Sequence, residues 1–251
     1  MQKNTPLKFL FFGAVNCEMT QKAINFLQSQ NCEVTEYLTT YEPAANKQSL
    51  LTNVVKEWTG EYIVCFKSLF IVPEWLINKA SIAAINFHPA SVEFPGRGCI
   101  NFAIYENSPT YGVTAHIIDD GIDSGPILDC RRFPIFKNDD FYSIFHRAQA
   151  KMIDQYFDVL TGIIQDGQNY IAIMLESSKH EKWNGSHRKI SGLNQMLTVD
   201  HTTSKLNLEK VIHASDLQNK PPKIYLHGYE FSYESNNKKN IELFEEAKKN
   251  F

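Results

Sequence analysis

The sequence predicts an α/β protein: an open, doubly wound, mostly parallel sheet with a short C-terminal extension that contains a β-hairpin. Two patterns predict the sheet. Near-continuous apolar runs at residues 7–13 and 62–66 read as strands buried on both faces. Amphipathic segments at helical spacing alternate with such runs, as crossover connections in a parallel sheet require. A third pattern predicts the extension. After about residue 176 the apolar periodicity gives way to Ser, Lys, His, Asn and Gly, which divides the chain into a core at 1–176 and a C-terminal unit at 177–251.

The elements follow in order. Residues 7–13 form the first strand, closed by Gly13. Ala23, Ile24, Phe26 and Leu27 predict a helix over 19–30, and a weaker strand follows at 33–38. Leu50, Leu51, Val54, Val55 and Trp58 predict a helix over 47–58. Residues 62–66 are a buried strand, and 73–79 a short helix begun by Pro73, whose missing N–H is no loss at a helix start. Residues 83–86 and 112–118 read as further strands. Phe141, Ile144, Phe145, Ala148, Met152, Phe157, Leu160 and Ile164 place a long amphipathic helix over 139–165, with Asn138, Asp139 and Asp140 as its cap and Gly167 just past its end. Residues 177–191 read as an exposed loop, 206–216 as a small helix, and 221–233 as a hairpin turning at His227 and Gly228. Tyr225, Tyr229 and Tyr233 are expected on one face of that hairpin, and Ile241, Leu243 and Phe244 allow a final short helix.

Composition narrows the function. A chain of 251 residues, 43% hydrophobic and 21% charged, is ordinary for a soluble globular protein. A net charge of -3 gives no global basic field, which weighs against nucleic acid or an anionic membrane as partner. The five cysteines are scattered and include no CxxC pair, so neither a disulfide framework nor a structural zinc is expected, and a reducing, cytoplasmic setting is. No His, Cys and carboxylate cluster has ligand spacing, so no metal is expected. The apolar run at 7–15 is too short to span a bilayer. Neither GxGxxG nor GxxxxGK[ST] occurs.

Chemistry concentrates in three short stretches. Asn86-Phe87-His88-Pro89, then Phe94-Pro95-Gly96-Arg97-Gly98, then Asp119-Asp120-Gly121-Ile122-Asp123-Ser124-Gly125-Pro126 bring an amide, an imidazole and a carboxylate onto loops set by glycine and proline. An amide donates to a developing oxyanion, an imidazole moves a proton near neutral pH, and a carboxylate orients and charges that imidazole. Those parts suit acyl transfer to an amine. Parallel sheets bind ligands at the carboxyl ends of their strands, and Asn86 and the 119–123 loop each follow a predicted strand. His116 reads equally as a core histidine or a site residue. Arg97 fits a pyrophosphate or a solvated loop.

In combination these stretches resemble the formyltransferases that use N10-formyltetrahydrofolate, over roughly residues 7–165. The stretch from Pro95 to Tyr105 is most similar to the branch that formylates the amine of a nucleotide-linked amino sugar. The resemblance implies a Rossmann-like core and a catalytic triad of Asn86, His88 and Asp123. It implies a folate site formed by Phe66, Lys67 and Ser68 together with Ile117, Ile118, Asp119, Asp120 and Gly121. Arg97, Gly98, Asn101 and Tyr225 are the candidate contacts to the sugar nucleotide. It further implies a homodimer, and a dTDP-linked amino-dideoxy sugar, dTDP-4-amino-4,6-dideoxyglucose foremost, as acceptor on the way to surface polysaccharide such as O-antigen. Formylation of initiator methionyl-tRNA, formylation of glycinamide ribotide, hydrolysis of the donor, and non-catalytic binding of folate or nucleotide stand as alternatives.

Overall fold

The computed structural model describes residues 5–42, 46–184 and 187–234; the predicted final helix at 241–244 lies outside them. In chain order the elements are β1 (Lys8–Ala14), α1 (Glu18–Ser29), β2 (Glu33–Thr39), α2 (Asn53–Glu57), β3 (Gly60–Phe66), α3 (Glu74–Ile77), β4 (Ala80–His88), α4 (Cys99–Tyr105), β5 (Thr110–Ile117), β6 (Ile127–Pro134), α5 (Phe141–Ser177), α6 (Ile190–Met196), β7 (Thr198–Val199), α7 (Lys205–His213), β8 (Lys223–Leu226) and β9 (Tyr229–Ser232). Six strands form one sheet in the order β2-β1-β3-β4-β5-β6. The pairs β1–β2, β1–β3 and β3–β4 are parallel, whereas β4–β5 and β5–β6 are antiparallel. Among the described residues no helix is long and apolar enough to cross a membrane.

The period-two alternation of the strands sorts side chains onto two cores. Phe9 and Phe11 of β1, Tyr62, Val64 and Phe66 of β3, and Ile85 and Phe87 of β4 share a core with the helices α1 and α5. Leu10, Phe12, Ile63, Cys65 and Ala84 point the other way, onto Leu51, Val55, Trp58 and Leu76. Helices therefore cover both faces, as a doubly wound sheet requires. Tyr156 of α5 is fully buried and donates its hydroxyl to Ala23 O at 3.1 Å, fastening the two long helices together.

Several elements differ from the sequence expectation. The helix expected over 47–58 is a 3-10 turn at Gln48–Leu50 followed by the short α2, whose cap is the Thr52 hydroxyl. The strand after residue 110 is antiparallel to β4, not part of a parallel array. β6 and α4 were not expected at all. The long helix begins as predicted, with Asp140 accepting from Ser143 N in a capping box. It also ends as predicted, at Gly167, whose φ of 54° and ψ of -127° break the helix; a second helical segment, not expected, then runs on to Ser177. The hairpin β8–β9 turns at His227 (φ 50°) and Gly228 (φ 86°), the double positive-φ pattern of a tight two-residue turn. Tyr225 pairs with Glu230 and Leu226 with Tyr229, so Tyr225 lies on the opposite face from Tyr229 and Tyr233. The expectation of one tyrosine face fails because the turn falls between Tyr225 and Tyr229, and a spacing of four keeps one face only within one strand.

Candidate active site

On the second face of β4 the apolar series stops at Ala84, and the next two positions on that face are Asn86 and His88. Both therefore lie inside the strand rather than after it. The antiparallel register sets Asn86 opposite His116 and His88 opposite Thr114, so two polar residues of β5 complete the patch. Thr114 donates to Ala90 O and Tyr111 to Pro89 O, both at 2.8 Å, which pins the chain where it leaves His88.

The carboxylate comes from the loop between β5 and β6. Asp119 organises that loop, accepting from Gly121 N and from the Ser124 hydroxyl. Asp123 sits in the left-handed region (φ 48°), sparsely populated by residues other than glycine and often met at functional positions. Its Oδ2 accepts from Gly96 N at 2.8 Å, and its Oδ1 lies 3.4 Å from His88 Nδ1 and 3.6 Å from His116 Nε2. The three side chains are less than a tenth exposed.

The partners of each imidazole define its protons. His88 Nε2 faces Phe94 O at 3.1 Å, an atom that only accepts, so this nitrogen carries hydrogen. Burial alone would depress the His88 pKa, but the Asp123 carboxylate, the Cys99 thiol and the Phe94 carbonyl outweigh it and push the value up to about 9. His88 is thus a cation at neutral pH, with both N–H groups directed at acceptors. Burial would raise Asp123, yet the His88 charge and the Gly96 N–H hold its carboxyl well below the usual carboxylate range. His116 Nδ1 faces Ile117 O at 2.8 Å, which leaves Nε2 to accept from Asn86 Nδ2 at 3.0 Å. One amide hydrogen of Asn86 is held in this way, and the second is available to a ligand.

Asn86, His88, His116 and Asp123 open into one cavity of about 540 Å3. Its apolar wall includes Phe70, Ile71, Val72, Ile77 and Ile118. That size and lining fall in the range of small-molecule sites. Lys67, Ser68, Ile118, Asp119, Asp120, Gly121 and Arg97 line it as well. Lys67 adopts φ 55° and donates to Gln149 Oε1 of α5 at 2.7 Å; burial pushes its ammonium down to about 8 against the opposing effect of Cys17.

The other candidates stand apart from the cavity lining. Phe66 is fully buried in the first core against Phe87 and Tyr156, and Ile117 packs against that same core. Gly98 is the left-handed cap of α4. Asn101 is buried and donates to Ala214 O at 2.8 Å, tying α4 to the end of α7. The Tyr225 hydroxyl bonds Glu230 within the hairpin. Sequence reading missed Trp183, whose ring packs edge-on against His88 and His116; the available signal was one large aromatic in a polar stretch. It also missed His187, which lines the cavity beside Arg97.

Comparison with known proteins gives a consistent picture. Residues 11–160 match the family described as formyl transferase. A methionyl-tRNA formyltransferase from Pelobacter propionicus is 25% identical over 123 residues, covering 49% of this chain and 39% of the relative. The chain thus spans about two fifths of that relative's length. Among solved structures, a 4-N formyltransferase from Francisella tularensis superimposes with a TM-score of 0.68 at 15% identity, covering 91% of this chain and 97% of the other. An N-formyltransferase from Helicobacter canadensis, in complex with folinic acid and dTDP-3-aminofucose, gives 0.63 at 15% identity, covering 89% and 85%. At such identities the structural likeness speaks to the fold.

Proposed function

The chain belongs to the formyl transferase family, and from that premise we propose that it transfers a formyl group from N10-formyltetrahydrofolate to the amine of a dTDP-linked amino-dideoxy sugar. The carrying observation is the joint presentation of Asn86, His88 and Asp123 to one cavity, with the spare Asn86 N–H and the His88 cation on the same wall. The apolar wall at Phe70, Ile71 and Ile118 is the proposed seat of the pterin, and Lys67, Ser68 and the 118–121 loop are its proposed polar rim. Bound there, the folate supplies the formyl group. Asn86 donates to the formyl oxygen as negative charge develops on it, and the His88 cation adds to that stabilisation. The neutral amine of the sugar attacks the formyl carbon. Asp123, ionised and adjacent, relays the proton that this nitrogen sheds as its new bond forms. As the bond to the folate N10 breaks, N10 takes up a proton, so the formyl group passes from one nitrogen to the other. Arg97 at the cavity wall offers a guanidinium to the acceptor's diphosphate. Gly98, Asn101 and Tyr225 remain proposed contributors on the acceptor side.

The Helicobacter canadensis relative, which holds a folate and a dTDP-amino sugar together, supports this two-ligand reading. The proposed acceptor is dTDP-4-amino-4,6-dideoxyglucose, formylated in the cytoplasm for surface polysaccharide, with the protein acting as a homodimer. A mass-spectrometric screen tests it: protein, N10-formyltetrahydrofolate, dTDP- and UDP-linked 3-amino and 4-amino sugars, and initiator methionyl-tRNA. A gain of one formyl group on a dTDP-4-amino sugar is expected. Formylation of the tRNA instead would overturn the reading in favour of the activity carried in the names of the curated relatives.

A further inference from the structure

Trp183 lies beyond the matched residues 11–160, in the loop after α5, and it does not line the cavity. Its ring nevertheless meets the site directly. The centroid is 5.7 Å from the His88 ring at 75° and 5.0 Å from the His116 ring at 88°. Its indole N–H donates to Gly125 O at 2.9 Å, two residues beyond Asp123. One side chain thus touches both imidazoles and the loop that carries the carboxylate. The backbone around it is fastened too. Asn184 N donates to Val92 O at 2.9 Å, Arg188 N to Pro95 O at 3.0 Å, and Arg97 N to Arg188 O at 2.8 Å. Gly96 permits that docking, since a Cβ there would stand 2.3 Å from Arg188 O.

We propose that Trp183 is a positioning residue for the reaction, holding the His88 and His116 rings against Asp123 and keeping water off the ion pair between them. This inference rests on the formyl-transfer reading above for its catalytic consequence, but not for its physical test. Edge-to-face packing fixes ring orientation, and excluding water strengthens the attraction between His88 and Asp123. The groups that face His88 are Asp123 from the β5–β6 loop, the Cys99 thiol of α4 at 3.9 Å, the Phe94 carbonyl and Trp183 itself; His116 faces Asp123 from β5. The Trp183 N–H also holds the loop that carries Asp123, so Trp183→Ala reports the loss of the indole together with the loss of that bond, and Trp183→Phe separates the two.

The test is a pH titration of the histidine side chains by NMR on the full chain without ligands, with His88 assigned from a His88→Gln sample. In Trp183→Ala the His88 midpoint is expected to fall from about 9 toward its ordinary value, by roughly a unit or more. In Trp183→Phe, which keeps a ring but loses the bond to Gly125, the midpoint is expected to stay near that of the wild type. With donor and acceptor present, Trp183→Ala is expected to lower kcat roughly tenfold to a hundredfold with little change in acceptor KM. A folded Trp183→Ala with wild-type midpoint and wild-type kcat would overturn the proposal. Should that variant not fold, Trp183→Leu, bulky but without a π face, is read against the same two outcomes. The titration needs no substrate, so failure of sugar formylation would defeat the proposed function and leave this inference to be decided by the His88 midpoint.

Discussion

His88 enters catalysis already charged. Its raised pKa means that the folded protein holds the proton more tightly than the unfolded chain does. The His88–Asp123 pair therefore contributes its full stability below the ordinary imidazole value of 6.5 and loses it as pH rises through about 9. Asp123 sets the other edge: its contribution is full above the ordinary 3.8 and is lost as pH falls toward its depressed native value. Formyl transfer is accordingly expected to decline above about pH 9, and the stability gap between wild type and Asp123→Asn to shrink there; urea unfolding across a pH series checks the second point. Asn86 carries the donor role, and its replacement by Ala is expected to reduce kcat by about a hundredfold to a thousandfold, the scale for one oxyanion donor. His116 acts on the same step through the 3.0 Å bond to that amide. His116→Ala is therefore expected to slow turnover less than Asn86→Ala, and the double variant to be no slower than Asn86→Ala alone, a non-additivity that steady-state rates read directly.

At the scale of elements, the strength of local pattern decided what was legible in the sequence. β1 and β3 announce themselves because each is apolar at almost every position, the mark of a strand covered on both sides. β6 hides because Asp129, Arg131 and Arg132 interrupt it; as an edge strand it leaves them half-buried or exposed, with Arg131 paired to Asp129 and Asp158 and Arg132 to Glu93 and Glu181. α4 hides because Gly96 and Gly98 make its entry read as loop. Asn86, His88 and Asp123 were legible as residue types set among glycines and prolines. Trp183 was not, because its meeting with Gly125 spans 58 residues and no local pattern encodes it. A second helical segment follows α5's first to Ser177, unannounced by local pattern. Gly167 itself marks, as expected, the break where the first helix ends. Its φ and ψ belong to a region that side chains avoid, while a Cβ would meet only the Tyr62 hydroxyl at an ordinary 3.7 Å. Gly167→Ala is thus expected to cost about 1–3 kcal/mol through backbone strain rather than crowding, measured as a lowered midpoint in chemical denaturation.

For the whole molecule the open question is what meets the C-terminal sheet. Its strands run β7-β8-β9, which leaves β9 at the edge. Tyr229 is 71% exposed and Phe231 52%, and Leu226 and Tyr233 beside them are also exposed. With Ile224, these side chains share one face of the hairpin, while Lys223, Tyr225 and Glu230 form a bonded polar cluster on the other. Leaving so many large apolar groups together in water is unfavourable, and in a soluble protein such a patch marks a contact surface. The proposed homodimer would bury it, with the edge of β9 and the apolar face as a self-complementary interface around a two-fold axis. Sedimentation at micromolar concentration is expected to give a dimer for the wild type and a monomer for Phe231→Arg, which sets a cation in the middle of the patch. Phe231 does not line the cavity and lies on the face of the hairpin opposite Tyr225, so the variant is expected to keep its rate per subunit. A wild type that sediments as a monomer would remove the dimer. A monomeric variant that also lost activity would show that the hairpin supports the site from a distance.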